Sequence, residues 1–570
     1  MSSRKSPLLF IQLPQLDNDV GEDHENLPLA AAYLAHAAAR AGETRWYQPL
    51  RLTAADELLD NAHLTGRLLN RRPAIVAATL YLWNVERTLR VLRAVRRRAP
   101  AVKIVVGGPE VARSHPFLFR NGVADAAVAG EGEAVFPAIL RALRGAGPRP
   151  DFTTVAWRLP DGRYAWGSNT PSAPDLSEAL PPPHATVWRP DGHGMAYLET
   201  SRGCPLTCAY CRYHHLRAGM SVLPVDEVIE RVRVLRARGA REIRFIDPMF
   251  NAHPRFTELL LALAQLNAGG AVAFFAEILA DRLTAEQAAL LKRANFTEVE
   301  VGLQCRRPAV LKAVRRAGTP ARIENGLRLM TRQGMRVTLD LMYALPRQRR
   351  RDVLSDLKWA APLRRVNVQC MQTLLLPGTT LRRERKRWGL AADPRPPYGV
   401  RSTASMTEDD LRAVEAALAV NPRLRSDARA ARFVGRRLPD IFPETVVLEV
   451  AAGLPAVCPG RTARRAVCLR GADLFARRSA LAAFITRAVR AEPDNLWQFV
   501  LEPRHEEPLD LLDALLAALR AEPPHLLDRY AAASLSGRLA ARRIFMRLLG
   551  RRFDPGWMDA AERTLRAACY

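Results

Sequence analysis

The stretch Ser201–His215, SRGCPLTCAYCRYHH, holds three of the chain's eight cysteines: Cys204, Cys208 and Cys211. Their spacing is C-x-x-x-C-x-x-C, inside one tight loop. A structural zinc site asks for four ligands, usually as two close pairs. His214 and His215 offer imidazoles, but no second C-x-x-C partner is present. Three thiolates from one loop can instead hold three irons of a [4Fe–4S] cluster, leaving the fourth iron open to a substrate or cofactor. Zinc completed by a histidine and an open cluster are the two readings of the loop taken by itself.

Downstream of the loop the chain alternates apolar strands with helices, as a partial (β/α)6 TIM-type barrel does over residues 196–402. REIRFIDPMFN ends at Asp247, AVAFFAEI has Glu277 near its end, and FTEVEVGLQC ends at Gln304. MRVTLDLMYALP passes Asp340 and VNVQCMQTLLLPGT passes Gln372. Polar residues at the carboxyl ends of barrel strands face the active site. Any one of them is also an ordinary strand-end polar group, but five in register argue for a site. Cys305, next to Gln304, is read as a small buried side chain, with a site thiol as the alternative.

Upstream, residues 1–150 also alternate strand and helix. LLFIQLP (Leu8–Pro14), AIVAATLYLW (Ala74–Trp83) and VKIVVGG (Val102–Gly108) are continuous apolar strands. ENLPLAAAYLAHAAARAG reads as a helix closing at Gly42. NVERTLRVLRAVRRRAP reads as a helix capped by Asn84. Unbroken apolar strands between helices imply a doubly wound, Rossmann-like parallel sheet covered on both faces. Such sheets bind ligands beyond the carboxyl ends of their strands. There the sequence has Gly107, Gly108, Pro109 and Glu110, and then Gly130, Glu131, Gly132 and Glu133. Glycines at such turns let backbone approach a large ligand, though they are also common for purely structural reasons. No G-x-G-x-x-G follows the first strand, which argues against a dinucleotide. Residues 151–195, rich in Pro, Ser and Gly, read as a linker.

The 570 residues suit several domains, and 48% hydrophobic content suits ordinary packed cores. The net charge of +27 comes from 85 Lys and Arg against 58 Asp and Glu. Runs such as RQRRR (Arg347–Arg351) have no nucleic-acid motif beside them, so no nucleic-acid partner is expected. No apolar run reaches the ~18 residues of a spanning helix, so no membrane is expected. The scattered remaining cysteines are not a disulfide framework, which points to a cytoplasmic protein with reduced thiols. Residues 403–570 mix short strands and helices and read as an α+β, mostly helical domain carrying no catalytic motif.

The segments LFIQLPQLDNDVGEDHENLPLAAAYLA, GGPEVARSHP, GEGEAVFP, GLQCRRPAVLKAVRR and LLLPGTTLRRE, with the cysteine loop, resemble the cobalamin (B12)-binding radical S-adenosylmethionine (SAM) enzymes of the class B C-methyltransferase type. The resemblance implies a [4Fe–4S] cluster on Cys204, Cys208 and Cys211. It implies SAM contacts from Tyr210, Asp247, Glu277 and Gln304, with Asp340 and Gln372 at the same barrel edge. It implies cobalamin over the first sheet, held by the two glycine turns and approached by Tyr81, Trp83 and Asn84; Tyr81 and Trp83 are alternatively core aromatics. The D-x-H-x-x-G of some B12 proteins is absent, since EDHEN around His24 lacks its spacing, so no histidine is expected on cobalt. Where the family often has GLPG after the fifth barrel strand, this chain has ALPRQ (Ala344–Gln348).

The activity implied is transfer of a methyl group from SAM, through methylcobalamin, to a carbon of a small-molecule or peptide substrate, with electrons from an external donor. Tryptophan C2 is one candidate, because a tryptophan 2-C-methyltransferase branch works without an adenosyl radical and uses an acidic residue near the cluster; Glu277 is the residue placed for that catalytic role. A cobalamin-dependent cyclase or rearrangement enzyme and a non-catalytic cobalamin sensor are the alternatives. A methylthiolating enzyme ranks last, since no cysteine precedes Cys204. The C-terminal domain is expected to cap the barrel and shape substrate choice, or to serve packing or dimerisation.

Overall fold

The computed structural model describes residues 5–16, 27–120, 122–215, 219–419, 432–530, 540–549 and 553–569. The first sheet contains β1 (Ser6–Ile11), β2 (Tyr47–Arg51), β3 (Ile75–Thr79), β4 (Lys103–Gly107), β5 (Ala126–Val128), β6 (Val155–Arg158) and β7 (Tyr164–Trp166). Their order is β2-β1-β3-β4-β5-β6-β7, and β1 to β5 run parallel. The unbroken apolar strands follow from burial on both faces. Leu8, Phe10, Ile75, Ala77 and Val105 pack under helices Leu29–Arg40 and Phe136–Leu143. Their strand neighbours Leu9, Ile11, Val76, Ala78, Ile104 and Val106 pack under helices Asn61–Asn70 and Val85–Arg98.

Residues 151–195 are not a linker. β6 and β7 extend the first sheet antiparallel to Trp166. Leu176, Leu180 and Trp188 are buried in the core of the next domain. The Pro- and Gly-rich turns between these short strands hid them in the sequence. Asn84 stands before helix Val85–Arg98 but makes no capping hydrogen bond.

The second sheet is formed by β8 (Met195–Leu198), β11 (Glu242–Phe245), β12 (Ala273–Glu277), β13 (Phe296–Gln304), β14 (Arg336–Tyr343) and β15 (Val366–Gln372). A two-residue antiparallel pairing, β9 (Ser201–Arg202) with β10 (Ser221–Val222), follows β8. The order β15-β14-β13-β12-β11-β8 is parallel throughout, an open six-stranded arc with β8 and β15 at its edges. Helices alternate with the strands, and Phe245, Phe250, Phe274 and Phe296 fill the core between. The ALPRQ loop holds Ala344 at φ +65° and Arg347 at φ +64°, so it keeps left-handed turns without glycine. Such a conformation costs roughly 1–2 kcal/mol per residue. The Gln348 side chain steadies the loop, accepting from the Leu345 amide at 3.1 Å and donating to the Met342 carbonyl at 2.9 Å.

After the short pair β16 (Ala391–Ala392) and β17 (Val400–Ser402) comes the C-terminal domain. Its strands are β18 (Val434–Gly435), β19 (Thr445–Glu449), β20 (Arg464–Gly471), β21 (Leu496–Pro503) and β22 (Arg542–Arg547). They form an all-parallel sheet in the order β18-β22-β21-β20-β19. The region is therefore α/β rather than α+β and mostly helical; crossover helices such as Arg478–Ala491 let each strand return parallel. Among the described residues it contacts the first domain. Arg465 forms a buried ion pair with Asp60, and the Glu492 carboxylate accepts from the Asn61 and Ala62 amides at 3.2 and 3.1 Å. Among the described residues no helix is long and apolar enough to cross a membrane.

Candidate active site

Two cavities meet where the first sheet faces the barrel. The smaller, of about 160 Å³, is lined by Cys204, Cys208, Cys211 and Tyr210 on one side. The loop carrying them is fixed at its middle: the Ala209 amide donates to the Val314 carbonyl at 2.8 Å, and the Ala209 carbonyl accepts from the Leu381 amide at 2.7 Å. Gly203 turns the chain into the loop at φ +93°, where a Cβ would lie 2.1 Å from the Gly219 carbonyl oxygen. All three cysteines are free. Burial pushes the Cys211 thiol up to about 11 and raises that of Cys204. Metal binding would have to displace these protons. Among the described residues no three His, Cys, Asp or Glu side chains converge as ligands of a single ion.

The opposite wall comes from strand ends. Glu277 closes β12, Gln304 closes β13, and Asp340 lies in β14; all three line the cavity as the sequence suggests. Two further residues belong with them. Glu300 lies on β13 two and four residues from Gly302 and Gln304, so strand alternation alone places it on their face. Arg316 donates to the Gly302 carbonyl at 2.6 Å, and its guanidinium lies 3.9 Å from the Cys208 sulfur. No strand-end rule reaches Arg316, which follows a helix. Burial, with Glu300 and Asp247 nearby, pushes Glu277 up to about 7. Burial and the adjacent Glu300 also raise Asp340. Gln304 Oε1, Asp340 Oδ1 and Arg316 Nε are buried without a hydrogen-bond partner. Buried polar groups are normally satisfied, so these three fit a site completed by a polar ligand.

Two expected SAM contacts are elsewhere. Asp247 is fully buried and accepts from the Thr200 and Ser201 amides at 2.8 and 2.7 Å and from the Thr200 hydroxyl at 2.5 Å. It braces the turn that leads into the cysteine loop. Gln372 donates to the Val400 carbonyl at 3.1 Å, and its amide lies against Gly399, away from the cavity. Cys305 is wholly buried and outside the cavity, a small core side chain.

The larger cavity, of about 420 Å³, lies over the carboxyl edge of the first sheet. Gly107, Gly108, Pro109, Gly130, Glu131, Gly132 and Glu133 line it, with Tyr81 and Trp83 stacked at 4.4 Å. Gly108 has φ +101°, and a Cβ there would sit 2.6 Å from the Leu80 carbonyl oxygen, so only glycine fits. Asn84 and Glu110 do not line it. The Asn84 amide donates to the Leu13 and Thr79 carbonyls at 2.9 and 3.2 Å, tying strand ends together from below. Glu110 is buried and accepts from the Tyr398 hydroxyl at 2.8 Å, with His115 Nε2 at 3.1 Å. His24 lies outside the described residues. The barrel side of the cavity adds Glu199 and Arg202, which the sequence did not single out. Arg202 pairs with Glu199, Glu133 and Glu131 at 2.9, 3.1 and 3.5 Å, joining the two domains across the rim. Tyr213, 45% exposed, lines both cavities and is their common wall.

Residues 198–360 match the Radical SAM superfamily, and residues 19–140 match the B12 binding domain. The cobalamin-dependent radical SAM methyltransferase TokK of Streptomyces tokunonensis is 32% identical over 213 residues, 34% of this chain and 30% of TokK. The chain spans about 30% of the length of such curated methyltransferase relatives. The structure of the radical SAM methyltransferase TsrM from Kitasatospora setae, with tryptophan and a SAM analogue, aligns with TM-score 0.54 at 16% identity, covering 66% of this chain and 75% of TsrM. That of the cobalamin-dependent SAM radical enzyme OxsB, with aqua-cobalamin and SAM, aligns with TM-score 0.57 at 14% identity, covering 73% and 66%. A sheet edge cleared by glycines and a three-thiol loop at a barrel mouth thus occupy the two matched regions, and the chain joins a B12-binding domain to a radical SAM domain.

Proposed function

We propose that this protein is a cobalamin-dependent radical SAM C-methyltransferase that moves a methyl group from SAM to a carbon of a small-molecule or peptide substrate. The observation that carries the proposal is the common wall: the three-thiol cavity and the glycine-lined cavity adjoin at Tyr213. Groups held in the two cavities would face each other across one side chain. When bound, the cluster would chelate SAM and deliver electrons, and cobalamin would carry the methyl group.

The chain's own residues set the conditions. Cys204, Cys208 and Cys211 would hold three irons and leave the fourth to SAM. Glu277, Gln304, Asp340, Glu300 and Arg316 present carboxylates, an amide and a guanidinium to the amino and carboxylate groups of SAM. Glu277, pushed up to about 7 chiefly by burial, can hold or release a proton beside the thiols. The glycine turns let a flat macrocycle lie against backbone, and Glu131, Glu133 and Glu199 supply acceptors for its side-chain amides. The name of TokK and the tryptophan bound to TsrM support methyl transfer and keep tryptophan among the candidate substrates. An external donor is expected to reduce the cluster, and reduced thiols fit work in the cytoplasm. A second reading, a cyclase that does not methylate, is favoured by 26% identity over 247 residues to the anaerobic magnesium-protoporphyrin IX monomethyl ester cyclase of Rubrivivax gelatinosus.

The test is anaerobic reconstitution of the full chain with iron, sulfide and cobalamin. A variant with Cys204, Cys208 and Cys211 all changed to Ala should lose the cluster's visible absorption and keep cobalamin. Retention of that absorption overturns the assignment. With methyl-deuterated SAM under strong reduction, cobalamin-dependent release of S-adenosylhomocysteine supports methyl transfer. Adenosyl cleavage with no loss of the methyl group supports the cyclase.

A further inference from the structure

Arg212 follows the third cysteine of the loop but turns away from the thiols. Its Nε donates to the Pro109 carbonyl at 3.2 Å and its Nη2 to the Val111 carbonyl at 2.9 Å. Pro109 lines the larger cavity, while Cys211, its chain neighbour, lines the smaller one. One guanidinium therefore spans the two loops that face the two cavities. The fork geometry suits this: two donors of a rigid plane reach two carbonyls of one turn.

The guanidinium is itself held in place. Gly378, at φ +80°, presses against it; a Cβ there would lie 2.3 Å from Arg212 Nη1 and 3.1 Å from Ala112. The middle residue of the clasped turn, Glu110, is fixed from the opposite side by Tyr398 and His115. The turn 109–111 is thus gripped by the cysteine loop and by the segment after the barrel. Tyr398 would fix the turn to the barrel without Arg212, but among the described residues only Arg212 ties it directly to the cysteine loop.

Resting on the function proposed above, we infer that Arg212 is a positioning residue that sets the separation and tilt of the two bound groups. It acts through the backbone of the turn that carries one of them, and its own link to Cys211 carries the other. Arg212→Gln removes the fork. Gly378→Ala leaves Arg212 intact but displaces it, giving an independent route to the same change should the first variant fold poorly.

Two readouts test the inference on the full chain. Amide hydrogen exchange at residues 108–112, without cofactors, should quicken at least tenfold in both variants. Holoenzyme saturated with cobalamin and reduced to paramagnetic cobalt and cluster should show magnetic coupling between the two by electron paramagnetic resonance. In Arg212→Gln and Gly378→Ala the cluster content should be unchanged while the coupling falls by at least half. Coupling equal to wild type in variants that hold both groups overturns the inference, even if exchange quickens, since Arg212 would then be only a structural brace. Absence of coupling in the wild-type holoenzyme overturns instead the function on which it rests, that the two groups meet.

Discussion

The first and last domains are both built on parallel strands wound with helices, yet their carboxyl edges are opposites. In the first sheet β4 runs out into Gly107, Gly108 and Pro109, and the chain beyond β5 is Gly130, Glu131, Gly132, with a cavity of about 420 Å³ above them. In the C-terminal sheet four strands carry Glu449, Arg470, Glu502 and Arg547 at the last or next-to-last position. There Arg470 donates to Glu502 at 2.7 Å, Arg547 pairs with the other Glu502 oxygen, and Arg470 reaches Glu449 at 3.3 Å. Parallel strands wound with helices make a ligand crevice where side chains are missing and a closed ionic lid where they are long and paired. A crevice at a strand edge is therefore a property of the residues placed there, and winding only supplies the place.

The largest effect is expected at the seam between the two domains. Arg465→Ala would leave Asp60 buried without its cation, and loss of one partner of a buried pair costs about 3–5 kcal/mol. Denaturant unfolding should show this as the C-terminal domain separating first, with cobalamin binding by the remainder retained.

The same seam has a pH signature. Burial, followed by repulsion from Asp60, pushes Glu492 up to about 7. An acid whose folded value is raised stabilises the fold fully below its unfolded value of about 4.5, and that stability is lost as pH rises toward 7. Glu492→Gln should flatten the fall in thermal stability over that window, by about 3 kcal/mol. An unchanged slope would remove Glu492 as its source.

At the edges themselves the two sheets should respond differently to one added methyl group. Gly108→Ala puts a Cβ 2.6 Å from a backbone oxygen at φ +101°, costing about 2 kcal/mol and weakening cobalamin binding at least tenfold in an absorbance titration. Gly471→Ala meets only the tip of the Leu474 side chain at 2.9 Å, and should cost under about 1 kcal/mol with no effect on cobalamin. Equal responses would mean that the open edge is not what the glycines provide. The smallest change is expected in the barrel, where Ala344→Gly relieves a left-handed residue and should raise stability by about 1 kcal/mol or less.

Much of this was legible in the chain. Runs such as LLFI and KIVV announce strands buried on both faces, because a parallel sheet between helices has no solvent side. The three-thiol loop and the carboxyl-end positions of Glu277, Gln304 and Asp340 follow from spacing and alternation. The β6–β7 extension escaped notice because four- and three-residue strands are too short for a period to show. Four expected site residues lie outside the two cavities for one shared reason. Asp247, Gln372, Asn84 and Glu110 stand at the right edges, but neighbouring backbone or side-chain groups already use their polar atoms.

The sequence by itself determined the layered α/β architecture, the order of the two cofactor-type domains and the position of the open thiol loop, since each depends on local period or local spacing. Only the tertiary structure decided which polar side chains reach a cavity, that Glu300, Arg316 and Arg202 join them, and that Arg212 links the two loops. Those outcomes depend on pairings between residues tens to hundreds of positions apart. A side chain's residue type states what it can bond, whereas the packing around it decides whether backbone, a partner side chain or a ligand takes that bond.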